Sequence, residues 1–499
     1  MRTFVLVVAA LTSSVFAQEA PSRPVAGSFK VTLDAALQDT PYTGRIYVTL
    51  TKREGLEPRR GMGAWFAKNP VFAVDAVDVA PGGTVAVDAA AMSFPAPMKD
   101  IEAGDYTAQA VARRSVDSPF PGFGPGDLYS DPVPLTFTPG DSSVVEFKLA
   151  NVVKEEPFRE TDRIKEVSFV SPLLSAFYGR QVKARAAVIL PKNWKDVPGT
   201  RHPTIYFIGG FGSSHTFAHS LLGRLPASAD EVMVVIPDPL GPLGHSVFAD
   251  SENNGPRGRS LIEELIPAVE SRFHGPISSD IRWVTGISSG GWSSLWLAIT
   301  YPDMWGNCWS FCPDPVDFRD FQRIDLYAPD ANMYTDPAGN RRPLARQGTE
   351  AAIWYEDFCK QEWVLGHGGQ IHSFEAVFSP REDGKPRPLF NRDTGAVDPE
   401  TARHWQKYDI RLIMEQNWPT LGPKVDGKIH VYAGELDSFY LESSTRRLAE
   451  SLKALGSTID VHILPGMGHT IPQVPWKVMF QILRDRAAGQ TNLPSVQPR

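Results

Sequence analysis

Three cysteines in 499 residues, Cys308, Cys312 and Cys359, are too few for a disulfide framework. They leave two options, one bridge with one free thiol or three buried thiols. Concentrated runs of Lys or Arg are also missing. With a formal charge of −7, the chain has no basic stripe for nucleic acid or for an anionic membrane. After the first residues there is no long hydrophobic run, and a membrane span needs about 20 apolar positions. A mature protein without a membrane span is therefore expected. The composition is otherwise that of a globular protein, 42% hydrophobic and 21% charged, and the length calls for two domains.

The first residues have the form of an export signal. Arg2 is followed by the apolar stretch Phe4 to Leu11, and Val15-Phe16-Ala17 puts small residues at −3 and −1 of a cleavage site after Ala17. Residues 1–17 are therefore expected to be a signal peptide, and the mature chain secreted or periplasmic.

From 27 to 150 the pattern is short and alternating. Phe29 to Leu33, Arg45 to Leu50 and Val144 to Leu149 read as strands, with turns at Gly82-Gly83 and Pro139-Gly140-Asp141. A small all-β sandwich is expected there, followed by a charged linker at Lys154-Glu155-Glu156-Pro157. Over 160–490 strands alternate with helices, which predicts an α/β domain with a mostly parallel sheet. Ala184 to Leu190, Thr204 to Ile208, Val232 to Ile236, Trp283 to Thr285, Lys428 to Ala433 and Val461 to Leu464 are its strands. Ser260-Leu261-Ile262-Glu263 has capping-box form and opens a helix reaching Phe273, with a kink expected at Pro267. Residues 316–420 interrupt the rhythm, either as an inserted cap or as long connections.

Gly286-Ile287-Ser288-Ser289-Gly290 is a G-x-S-x-G motif between a strand and a helix-compatible run. Flanking glycines permit a tight turn that exposes the middle serine at a helix start. A serine hydroxyl needs a base, and His469 in Pro465-Gly466-Met467-Gly468-His469 follows the last strand. The base needs a carboxylate to fix its tautomer. Asp437 follows the preceding strand, with Glu435 and Asp314 as rivals. Oxyanion donors are expected from the N–H of Ser289 and from Gly209-Gly210-Phe211-Gly212, with Phe211 preferred to Gly210. Each Gly-rich stretch also has a plain turn reading, but together they describe one site.

Other features have less weight. His215 and His219 stand i, i+4, yet no third ligand suggests itself, so packing is preferred to metal. His462 reads as a packed or surface histidine. Asp250, Asn253, Asn254 and Arg257 form a polar loop that either lines a cleft or serves the turn. Trp354, Tyr355, Phe358 and Trp363 read as a core stripe in the insertion, or else as an aromatic wall for a substrate.

Residues 163–485 resemble the putative-esterase family of α/β hydrolases, which includes esterase D, feruloyl esterases, enterochelin esterases and mycolyltransferases. The resemblance rests on Ser171-Pro172 with Phe177-Tyr178-Gly179-Arg180, on Asp250-Ser251 with Asn253-Asn254-Gly255-Pro256, on Glu263 to Pro267, and on Gly286 to Gly291. It implies the α/β-hydrolase fold, a Ser288–Asp437–His469 triad and no cofactor. Hydrolysis of a small or polymer-linked carboxylic ester through an acyl-enzyme is the expected reaction. Acyl transfer and peptide hydrolysis would use the same residues. An exported binding protein with a decayed hydrolase core is the non-catalytic alternative.

Overall fold

The computed structural model describes residues 23–490. The export-signal reading lies outside the described residues.

Residues 25–152 contain strands and short 3₁₀ turns only. They form an eight-stranded and a three-stranded sheet that share one apolar core, in which Phe29 and Phe137 stack at 6.0 Å. The inward positions come from period-2 alternation, as in Val144–Leu149, where Val145, Phe147 and Leu149 are buried between exposed neighbours.

The second part is built on one eight-stranded sheet. Its strands are β1 (Ile164–Val170), β2 (Lys183–Ile189), β3 (Thr204–Ile208), β4 (Met233–Pro237), β5 (Arg282–Ser288), β6 (Asn307–Pro313), β7 (Ile429–Gly434) and β8 (Asp460–Leu464). Their order is β1-β2-β4-β3-β5-β6-β7-β8. The first two pairings are antiparallel and the others parallel, which is the α/β-hydrolase arrangement. Every residue of β3, β4 and β6 is buried, because helices cover both faces of a parallel sheet. This explains why Val232 to Ile236 is a continuous apolar run.

One local expectation needs correction. Ser260 does not cap a helix, because helical structure already begins at Arg257 and the Ser260 hydroxyl donates to Glu264 at 2.7 Å. Ahead of Pro267 the helix widens into a π turn over Ser260–Leu265, closed by Ile266 N–H to Leu261 O. The ring lacks an N–H, and the wide turn accommodates the missing bond. The three cysteines are all free and buried, so no bridge forms.

Residues 316–420 fold between β6 and β7 and include α2 (Tyr355–Leu365) and α3 (Gln370–Phe378), numbered after the helix α1 (Ser289–Thr300) that follows β5. The N-terminal sheets dock on the end of α2. Arg45 donates to the carbonyls of Trp363 at 2.7 Å and Val364 at 3.1 Å, and Tyr47 to that of Leu365 at 2.6 Å. These are helix-terminal carbonyls with no partner inside the helix, so the two parts of the chain are joined through specific backbone acceptors.

Candidate active site

Strand β5 ends in Ser288, and α1 begins at the next residue. Ser288 turns the chain with φ 60° and ψ −126°, a region that non-glycine residues rarely enter. The turn closes only because its neighbours lack side chains. A Cβ on Gly290 would stand 1.9 Å from the Ile208 carbonyl oxygen, and one on Gly286 2.2 Å from the Gly290 carbonyl oxygen. Gly290→Ala is therefore expected to cost roughly 3 kcal/mol or more, read as a lower urea midpoint.

Asp437 is fully buried in the loop after β7, and its Oδ1 accepts the Phe439 N–H at 2.8 Å. Its Oδ2 lies 2.8 Å from His469 Nδ1. In the neutral ring that contact puts the proton on Nδ1 and leaves Nε2 to accept. Burial disfavours the charged ring, but the Asp437 carboxylate and the neighbouring Cys312 overcome this and hold the His469 pKa above the ordinary histidine range. Cys312, Asp437 and His469 have donor atoms within 4.8 Å of one another. An ion bound there would compete for the carboxylate that orients the ring.

The Ser288 hydroxyl is turned toward Asp314, donating at 3.3 Å, and makes no hydrogen bond to His469. Asp314 also accepts from Ser289 Oγ at 2.6 Å and from Gln370 Nε2 at 3.3 Å. Asp314, weighed above as a rival acid, thus touches the serine and has no hydrogen bond to the imidazole. Burial pushes its carboxyl up to about 6, against the opposing pull of the Ser289 and Ser288 hydroxyls and of His469. A carboxyl raised on folding favours the folded state most below the ordinary carboxylate pKa of about 4, and that contribution is lost as pH rises through the folded value. Asp314→Asn is accordingly expected to stabilise the protein at pH 8, by on the order of 2–3 kcal/mol, and to do little at pH 4. Thermal midpoints at the two pH values check this.

A cavity of about 530 Å³ brings Ser288, His469 and Asp314 together with Gly210, Phe211 and Gly212. The Gly210 backbone lies against Ser288, since a Cβ there would be 3.2 Å from Ser288 Cβ. Neither the Gly210 nor the Phe211 amide donates to another described group, which leaves both available as oxyanion donors. Ser289 is buried as the first residue of α1, where helix amides lack intrahelical partners.

Several cavity residues were not foreseen. Trp65 and Phe120 come from loops of the N-terminal sheets, and Gln370, Phe374 and Phe439 from beyond the motif strands. Trp65 packs on Phe211 at 5.8 Å, Phe358 at 4.9 Å and Phe439 at 5.4 Å, and Phe439 stands edge-on to His469 at 4.9 Å. For Trp65, Phe120, Phe374 and Phe439 the only sequence signal was aromatic character, and Gln370 had none.

The lesser candidates resolve individually. His215 has Asp238 at 2.9 Å and Glu166 at 3.2 Å on its two ring nitrogens and stacks on Phe158, against which His219 packs at a tilt. This is packing. Glu435 accepts the Gly466 N–H at 3.0 Å, and His462 stacks on Tyr432 at 4.9 Å. Asp250 serves its turn, accepting from the Gly258 and Arg259 amides at 2.7 and 3.0 Å. Arg257 instead lines a second cavity. In the insertion Tyr355 and Phe358 are buried, whereas Trp363 is exposed.

With this geometry in place, the family comparison is decisive: the model described as Putative esterase matches residues 179–455, more than half of the chain. The chain belongs to the putative esterase family. No curated protein matches the sequence. Among solved structures, an S-formylglutathione hydrolase from Agrobacterium tumefaciens is 14% identical, covering 65% of this chain and 93% of its own, with a TM-score of 0.36. A ferulic acid esterase from Anaeromyces mucronatus, in complex with ferulic acid, is 14% identical over 66% of this chain and 93% of its own, with a TM-score of 0.33. A fluorophosphonate-binding serine hydrolase from Staphylococcus aureus is 14% identical over 66% of this chain and 98% of its own, with a TM-score of 0.38. For a chain of this esterase family, the G-x-S-x-G serine at the β5–α1 turn is the candidate nucleophile.

Proposed function

We propose that this chain is a serine hydrolase that cleaves carboxylic esters through an acyl-enzyme, acting outside the cytoplasm after loss of residues 1–17. One observation carries the reading: a strained serine and a histidine held by the buried Asp437 face the same cavity.

In the proposed reaction the Ser288 side chain rotates from Asp314 toward His469 Nε2. The imidazole takes the hydroxyl proton as Oγ attacks the ester carbonyl, and Asp437 stabilises the resulting imidazolium. The N–H groups of Ser289 and of Phe211 or Gly210 meet the charge on the carbonyl oxygen, each such donor contributing about 10²–10³ in rate. His469 returns the proton to the departing alcohol. Water then enters by the same route and releases the acid, so no cofactor is required. The aromatic lining, including Trp65, Phe120 and Phe374, suits an apolar portion of the ester. The N-terminal sheets act as an accessory module that closes this wall.

Hydrolysis of p-nitrophenyl acetate and butyrate, followed by stopped flow, tests the proposal. A burst of nitrophenolate equal to the enzyme concentration, with covalent labelling by a fluorophosphonate, is expected. Absence of both turnover and labelling would remove the reading.

A further inference from the structure

A second cavity, of about 1020 Å³, lies between the N-terminal sheets and the hydrolase part. It shares Trp65, Phe120, Phe211 and Gly212 with the cavity over Ser288, so the two are neighbours across one aromatic wall. We propose that this larger cavity holds the carboxylate of an anionic ester on Arg257, at a distance from the bond being cleaved. The proposal rests on the ester-hydrolase reading, because only then is the cavity substrate space.

The argument is one of charge pairing. Each carboxylate that lines the cavity already has a partner. Asp117 pairs with Arg180 at 2.6 Å, and Glu155 with Arg185 at 3.0 Å. Asp238 is bonded to His215 at 2.9 Å, and Glu362 accepts the Ile371 and His372 amides at 3.0 and 3.2 Å. The other lining cations are also engaged: Arg60 with Glu57 at 2.9 Å, and Lys183 with Glu155 at 3.8 Å. Burial lowers the His367 pKa to about 4, which leaves it neutral at physiological pH.

Arg257 is different. It is only 7% exposed, yet no carboxylate among the described residues lies within ion-pairing distance of it. Its guanidinium makes one hydrogen bond, from Nη2 to the Tyr178 hydroxyl at 3.3 Å, lies 5.6 Å from the centroid of that ring, and has a buried Nε without a partner. A buried guanidinium is costly unless an anion completes it, and its planar fork matches a carboxylate bidentately. One uncompensated positive charge fits a monoanion better than a phosphate dianion. Gly241 makes room for the guanidinium, since a Cβ there would stand 2.4 Å from Arg257 Nη2.

The test uses pairs of esters that differ only in a remote charge. On the alcohol side these are 4-acetoxybenzoate and its methyl ester. On the acyl side they are p-nitrophenyl hydrogen adipate and p-nitrophenyl methyl adipate. In at least one pair the wild type is expected to show a KM lower for the acid by about tenfold, the size of a charge-assisted contact. Arg257→Gln and Gly241→Ala should each erase the ratio, and Arg257→Lys should keep part of it. Reading a ratio cancels any general loss of activity. Calorimetric binding of 4-hydroxybenzoate against its methyl ester repeats the comparison without turnover. If no ester is hydrolysed but the anion still binds through Arg257, the reaction is wrong and the site stands. Equal treatment of acid and methyl ester in both pairs and in binding would overturn the site.

Discussion

Ser288→Ala is expected to abolish fluorophosphonate labelling and to lower kcat by about 10⁴-fold or more. The expectation follows from chemistry that no neighbour can replace. Without Oγ no acyl-enzyme forms, and only the oxyanion donors and substrate binding remain to assist water. Ser289 provides the control one residue away. Its hydroxyl is fully buried and bonded to Asp314 and Gln370, and its proposed share in the reaction is a backbone amide. Ser289→Ala should therefore keep labelling and burst kinetics. Active-site titration of both variants decides the matter, and labelling retained by Ser288→Ala would end the assignment.

The sequence exposed those parts of the site that depend on local backbone. A strand running into G-x-S-x-G demands a strained elbow, and φ 60° at Ser288 is that strain. The alternation of strands and helices, with the unbroken apolar run at Val232 to Ile236, marked the parallel sheet, whose strand ends position Ser288, Asp437 and His469. What stayed hidden depends on contacts between distant segments. Trp65 lies more than two hundred positions before the nucleophile, and nothing in its neighbourhood announces that it will pack on Phe211 and Phe439. Asp314 was legible as a carboxylate after β6. A bulge in the pairing of β5 with β6 at Ile287 and Ser288 brings Ser288 opposite Pro313, and pattern alone does not give that shift. It is this register that brings Asp314 to the serine rather than to the histidine.

The N-terminal sheets show the same limit. Alternation identified their strands, but alternation describes one buried face and says nothing of loop tips. The loops carrying Trp65 and Phe120 reach the cavity over Ser288, while Arg45 and Tyr47 fasten the sheets to the end of α2. A segment attached in this way shares its rigidity with the cavity wall. Changes in how the sheets dock should consequently alter substrate preference before they alter the bond-breaking step, because Ser288, Asp437 and His469 all sit at strand ends of the other sheet or in the loops that follow them.

Asp437→Asn is the second large expected effect, a fall in kcat of about 10³–10⁴. An amide in place of the carboxylate can offer its N–H to the ring, which favours the tautomer with the proton on Nε2, and the base then faces Ser288 already protonated. The pH dependence gives an independent check. The base acts only when neutral, so a raised His469 pKa moves the acid limb of kcat/KM above the ordinary histidine range. Removing the Asp437 charge takes away the main support of that shift, so in Asp437→Asn the limb should move to lower pH while the plateau falls. Asp314→Asn should differ on both counts. It removes a hydrogen-bond acceptor that competes with His469 for the Ser288 proton, which leaves the plateau within about an order of magnitude and the limb nearly in place. If Asp314→Asn instead gave the larger fall and the displaced limb, Asp314 would be the acid, and the Asp437–His469 contact would be structural.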